Sequence, residues 1–251
     1  MEHIISDLIK QTINNQNLIK NYEYGTVIQV KDSILVGIGL DSVELYEVVK
    51  IEQYECIVIG LYETHFTILP LCDKYNIVAG SEIIRTKKQK HIVVGNNLFG
   101  RILNGFGEPI DGKSKINGEL ISIYQPFLGF FQRKALDTQL ITGIPIIDWM
   151  IPIGFGQKEA IIGDIGRKKT TIVIGIMKNL KHIPKVLSIY VSIGQSTGSV
   201  LSIQKKLQQN ETNNFLIIMA RPSDPMSMLY LAPLIASAIG EYYRTKGYHV
   251  V

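Results

Sequence analysis

At 251 residues the chain fits one large domain or two modest ones, and it is long enough to bury a sizeable core. Hydrophobic residues at 46% and charged residues at 19% match a soluble globular protein, which excludes a disordered chain, a collagen-like chain and a coiled coil. A net charge of +4, with Lys and Arg spread along the chain, is too mild to argue for nucleic acid as a partner.

The first segment, His3 to Lys20, places Ile5, Leu8, Ile9 and Ile13 at helical spacing, which predicts a short amphipathic helix. It carries Asp7 and no Arg, a composition unlike a transit peptide. From Tyr24 to about Lys90 the texture changes to short β-rich runs: Gly25–Val30, Ser33–Val36, Tyr46–Ile51, Cys56–Leu61 and Phe66–Leu69. Strands at this spacing, separated by Gly, Asp and Asn, predict a small antiparallel barrel. Cys56 and Cys72 form no CxxC and have no His pair nearby, so they read as two buried thiols rather than a disulfide framework or a zinc site.

After about Lys90 the pattern changes again, dividing the chain into domains 1–90 and 91–251. Asn104 to Gly118 is rich in turn residues; Gly105 to Gly112 is a turn, not a dinucleotide-binding element, because it does not join a strand to a helix. Ala160–Ile162 reads as a short buried strand, Thr170–Leu180 as a helix, Val186–Ile193 as a strand, Val200–Gln208 as a helix and Phe215–Ala220 as a strand. A long helix follows from about Ser223 to Arg244, interrupted near Pro233, and His249-Val250-Val251 starts a further strand. Strands alternating with helices predict a parallel sheet. His65, His91, His182 and His249 lack partners at metal spacing and read as structural, and Glu241 with Arg244 reads as a solvated pair. No apolar run approaches the roughly 18 residues of a membrane-spanning helix.

The turn after the 160–162 run reads Gly163-Asp164-Ile165-Gly166-Arg167-Lys168-Lys169-Thr170-Thr171. Strand, glycine turn, Lys-Thr and helix is the layout of a phosphate-binding loop: backbone N–H groups and a helix N-terminus face the anion, a Lys neutralises terminal phosphates, and the Thr170 hydroxyl ligates magnesium. The pattern GxxxxGK[ST] is not met in full, because Lys168 occupies the second glycine position. That substitution keeps the backbone donor but adds bulk and strain. A basic, solvated helix start is the competing reading of the loop taken alone.

Thr142-Gly143-Ile144-Pro145-Ile146-Ile147-Asp148 and Ile151 to Glu159, running into Ile161-Ile162-Gly163-Asp164, resemble the nucleotide-binding domain of the F-type ATP synthase alpha subunit. So do Gly25–Val30 with Gly39-Leu40-Asp41, Gly100–Asn104 with Pro109–Gly112, Tyr190–Gln195, and Ser223-Asp224-Pro225 through Gly240-Glu241-Tyr242-Tyr243. The resemblance implies an N-terminal β-barrel followed by a RecA-like α/β P-loop domain. It also implies ATP or ADP with Mg2+ on the 163–171 loop. Trp149 and Met150 are expected to pack under the nucleotide domain. Gln195 stands where the catalytic beta sibling has a Glu that polarises the attacking water. An amide cannot serve as that base, so the subunit is expected to bind nucleotide without turning it over. The implied partners are beta subunits in an alternating hexamer, the gamma shaft and the delta/peripheral stalk, with no nucleic acid and with membrane association only through the proton-translocating complex. A plastid thylakoid location is expected from the closest likeness, with mitochondrial inner membrane or bacterial plasma membrane as alternatives.

Departures are equally specific. The family loop runs GDRQTGKT, so Lys168 predicts weakened Mg-ATP affinity, and Phe155 and Lys158 replace usual arginines. Family chains continue past the strand begun at His249, so the α/β domain is expected to be incomplete at its C-terminal end, with apolar edges uncovered. Two other readings stay open. One is a degenerate fragment that has lost nucleotide binding. The other is a related hexameric secretion or RNA-motor ATPase, which would need a Glu near Gln195 and a basic aromatic face on the barrel.

Overall fold

A computed structural model describes residues 23–72, 74–124, 129, 131, 135–164, 166–209 and 212–251. The expected helix of Ile5, Leu8, Ile9 and Ile13 lies outside the described residues. The described chain forms two compact units that divide between Lys90 and His91.

The first unit is a closed antiparallel barrel of β1 (Tyr24–Lys31), β2 (Ile34–Ile38), β3 (Glu47–Ile51), β4 (Tyr54–Leu61), β5 (Phe66–Pro70) and β6 (Glu82–Gln89), in the order β1-β2-β5-β4-β3-β6. Strands β1 and β6 close the ring with Tyr24 opposite Ile84 and Thr26 opposite Glu82. Closure leaves no strand edge unpaired, and alternate residues turn inward to fill the lumen. Val27, Leu35, Val49, Ile51, Cys56, Val58, Ile68 and Ile83 are fully buried there. Five of the six strands were legible as β-rich runs. The sixth was not, because Arg85, Lys87 and Lys88 interrupt its apolar alternation. Cys56 is buried as expected, and desolvation pushes its thiol up to about 12. Cys72 is only half-buried, a correction to the expected pair of buried thiols.

The second unit is built on a parallel sheet ordered β14-β12-β13-β8, comprising β8 (Arg101–Asn104), β12 (Val186–Ile193), β13 (Phe215–Ala220) and β14 (His249–Val250). Every residue of β13 is buried, which fits its central place and its uninterrupted apolar run. Helices α2 (Lys169–Leu180) and α3 (Thr197–Gln208) cover one face: Ile174, Met177, Val200, Ile203 and Leu207 pack on Phe215, Ile217 and Met219. Helix α4 (Met226–Thr245) packs against β12 and β13, burying Leu231, Ala232, Ile235, Ile239 and Tyr243. It runs unbroken through Pro233, where an interruption was expected, because packing of the flanking Ala232 and Ile235 outweighs one lost backbone bond. A small antiparallel pair, β7 (His91–Val94) with β9 (Glu119–Ser122), a short α1 (Pro145–Met150), and the two-residue pair β10 (Gln139–Leu140) with β11 (Ile153–Gly154) complete the described elements.

The turn after β8 folds back as a hairpin: Asn104 N–H donates to Glu108 O and Ile110 N–H to Ile102 O, which covers the β8 edge of the sheet. Gly105 lets this turn seat on the start of α4, since a Cβ there would lie 2.3 Å from the Met228 carbonyl oxygen. Gly105→Ala is expected to destabilise the α/β unit by about 1–3 kcal/mol, read as a lower urea midpoint of the helical signal at unchanged slope.

Two expectations are overturned. Ala160–Ile162 is not a strand: the segment is irregular and Ile162 is 91% exposed. A strand forms only against a partner, and an apolar groove separates this segment from β14, the outermost strand on that side. Trp149 and Met150 do not pack under the nucleotide domain as expected; they are 88% and 74% exposed, on a helix too short to bury a face.

Candidate functional site

The glycine turn leads straight into α2, the layout the motif requires on its helical side. Gly166 has φ 83°, a left-handed conformation that glycine adopts without penalty. Lys168, at φ 57° and ψ 22°, is also left-handed and caps α2 with no side-chain hydrogen bond to the helix. Its carbonyl accepts from the N–H groups of Thr171 (2.9 Å) and Ile172 (3.3 Å), which fixes the first turn. The conformation is the one a glycine would take at this position, so Lys168 holds it at a cost of about 1–2 kcal/mol. The sequence expectation of strain at Lys168 therefore has a geometric counterpart.

Lys169 Nζ donates to the carbonyl oxygens of Gly163 (2.5 Å) and Asp164 (2.7 Å), folding its ammonium over the mouth of the loop. Arg167 Nε lies 3.7 Å from Asp164 Oδ2, an exposed pair worth little energetically. Lys168 is exposed, and its ammonium has no partner among the described residues. Thr170 is half-buried and Thr171 exposed in the first turn of α2. Ile165 lies outside the described residues.

Gln195 follows the C-terminal end of β12, just beyond Gly194 (φ 72°), and its amide nitrogen is 3.3 Å from the Tyr190 hydroxyl. Ser196 then caps α3, accepting from Ser199 N–H. Helix α2 runs back along the sheet to the start of β12, so its N-terminus and Gln195 both belong to the edge where the parallel strands end. That edge is where open α/β sheets present ligand sites.

The segment before the loop is pinned by a carboxylate that sequence reasoning passed over. Asp148 on α1 accepts from the Thr142 hydroxyl (2.7 Å), Thr142 N–H (2.8 Å) and Gly143 N–H (3.0 Å). The Thr142 hydroxyl and these backbone donors hold its carboxyl below the usual range. Beneath α2 runs a cavity of about 620 Å³ walled by Ile161, Ile176, Met177, Tyr190, Val250 and Phe155, the last of which rests on the His249 ring at 4.7 Å.

The donor set fits a phosphate chain with a divalent cation. The α2 N-terminus and Lys169 offer complementary charge, and Thr170 in the first turn offers a hydroxyl for magnesium. Among the described residues no group of three or more His, Cys, Asp or Glu forms an alternative metal centre. His65 instead bonds Thr64 and stacks on Tyr62, and Glu241 pairs with Arg244 at 2.7 Å on the exposed face of α4.

Residues 143–251 match the model of the ATP synthase alpha/beta family, nucleotide-binding domain. Over most of its length the chain is similar to ATP synthase alpha subunits. It is 36% identical to that of Petrotoga mobilis, covering 97% of this chain and 49% of the relative. To that of Helicobacter pylori it is 37% identical, covering 98% and 50%, and to that of Helicobacter acinonychis 36%, covering 98% and 50%. The chain thus spans about half the length of the curated relatives it matches.

Proposed function

We infer that this chain belongs to the ATP synthase alpha/beta family as an alpha-type, noncatalytic and regulatory nucleotide-binding subunit of a rotary ATP synthase. The observation that carries this reading is the Lys169 ammonium poised over a glycine turn at the N-terminus of α2, inside the region that matches the family's nucleotide-binding domain. Residues 163–171 then hold ATP or ADP, with the loop N–H groups and Lys169 on the phosphates and the Thr170 hydroxyl on Mg2+. Residues 91–251 form a RecA-like domain, and the barrel of Tyr24 to Gln89 precedes it. Gln195 offers an amide where hydrolysis needs a carboxylate, so the site positions nucleotide and does not activate water.

Synthesis of ATP from ADP and phosphate belongs, on this reading, to the proton-driven complex: beta subunits alternating with this one, the gamma shaft, and the delta/peripheral stalk. Its attachment to the membrane is peripheral and through that complex; among the described residues no helix is long and apolar enough to cross a bilayer. Bacterial relatives lend the plastid expectation no support.

The test is equilibrium binding of Mg-ATP to the whole chain and to Lys169→Ala. Losing a charge-assisted hydrogen-bond donor of this kind costs about 1.5–3 kcal/mol, so the variant should bind roughly 10- to 100-fold more weakly. The left-handed Lys168 supports the reading that the parent itself binds more weakly than low micromolar; tighter binding would remove that part of the reading. A second reading, a degenerate copy that no longer binds nucleotide, is favoured by the same Lys168 and by the unformed strand at 160–162. It wins if the parent chain shows neither saturable binding nor a nucleotide-dependent thermal shift.

A further inference from the structure

The three consecutive cations of the loop are in three different states. Arg167 faces the Asp164 carboxylate at 3.7 Å, Lys169 is committed to two loop carbonyls, and Lys168 is exposed with its ammonium unpartnered among the described residues. Lys168 stays in a left-handed conformation that disfavours every residue with a Cβ, so its backbone contributes strain and its side chain contributes one uncompensated positive charge. These two effects act on different quantities. Strain in the loop shifts binding of every ligand alike. An added charge carried by a residue of the loop acts in proportion to the charge of what binds.

We propose that Lys168 is a specificity-determining residue that makes the loop discriminate between phosphate chains by their charge, favouring a nucleoside triphosphate over a diphosphate. The inference rests on the nucleotide-binding reading above. The two nucleotides differ by one unit of negative charge. A unit charge about 6 Å from another in a watery environment is worth about a threefold factor in affinity. With a Debye length near 8 Å at physiological salt and about 3 Å at 1 M, that factor survives at low ionic strength and vanishes at high. Lys169 favours the triphosphate too, but it is withheld by the Gly163 and Asp164 carbonyls until a ligand displaces them.

The experiment compares dissociation constants for Mg-ATP and Mg-ADP on the whole chain and on Lys168→Asn, at about 0.05 M and about 1 M salt. Asparagine tolerates the left-handed conformation and is neutral, so it removes the charge while sparing the backbone. The expected result is an ATP-to-ADP preference about threefold smaller in Lys168→Asn at low salt, with the parent's preference falling to the variant's at high salt. Lys168→Arg should keep the parent's preference. Equal preferences in parent and Lys168→Asn at low salt, with both still binding, would overturn the proposal and leave the nucleotide-binding reading standing. Absence of saturable binding to the parent, with Lys169→Ala no different, would overturn both.

Discussion

Arg101→Ala is expected to destabilise the α/β unit by about 3–5 kcal/mol, because it strands a buried carboxylate. Arg101 opens β8 with its side chain only 4% exposed and grips Asp111, equally buried, with two parallel bonds: Nε to Oδ2 at 2.5 Å and Nη2 to Oδ1 at 2.9 Å. A third bond runs from Nη2 to Ser114 O at 2.9 Å, tying the turn after β8 to the sheet. Burial by itself raises the Asp111 pKa; the Arg101 hydrogen bonds and the Lys113 and Ile102 amides overcome it and hold the carboxyl below its ordinary value. A depressed carboxylate contributes its stability above the ordinary aspartate value near pH 4 and loses it as pH falls through the folded value. The parent should therefore weaken below about pH 4. The deficit of Arg101→Ala should shrink there, because the orphaned Asp111 can protonate. The described helices all lie in this unit, so the far-ultraviolet helical signal in a urea titration at neutral and at acid pH measures it. A double change to Met and Leu at positions 101 and 111 should cost less than Arg101→Ala; a larger cost would refute the stranded-charge account.

In the barrel, Arg85→Ala is expected to have an effect of the same size. Arg85 donates from Nε to both oxygens of Glu47 (3.0 and 3.1 Å) and from Nη1 to both oxygens of Glu23 (3.1 and 2.9 Å). The Glu47 hydrogen bonds come first in raising the Arg85 pKa above its already high value, so the guanidinium stays charged throughout. The two carboxylates are not equivalent. Glu47 is 3% exposed and also accepts from the Lys87 and Glu44 N–H groups, whereas Glu23 is 36% exposed. Removing Arg85 leaves Glu47 buried and short of its cation, at about 3–5 kcal/mol. Glu23→Gln, by contrast, removes a partly solvated partner and should cost no more than about 1 kcal/mol. Hydrogen exchange at the Val49 and Ile83 amides, on neighbouring barrel strands, separates the two. Comparable loss of protection in both variants would show that burial of Glu47 is not what matters.

Much of the architecture was legible because it is local. The runs at 186–193 and 215–220 are strands with those bounds, and the helix at 170–180 is α2, one residue longer. Apolar period and turn residues suffice for such elements, since each asks only which face a short stretch buries. The start of that helix at Lys169-Thr170 was legible for the same reason. Strands β6 and β8 were missed, because Arg85 and Arg101 break the apolar pattern and reveal their purpose only beside Glu47 and Asp111.

By itself, then, the sequence determined a β-rich barrel, an alternating strand and helix unit, and a glycine turn that leads through Lys169-Thr170 into a helix. Only the tertiary structure decided which charges are buried. Arg85 meets Glu23 from 62 positions away and Glu47 from 38, pairings that no local spacing encodes. The tertiary structure also left Ala160–Ile162 unpaired beside a groove and turned Trp149 outward. The physical reason is common to all three. A propensity belongs to a segment, whereas burial, pairing and charge compensation belong to two segments at once, and the second can lie anywhere in the chain.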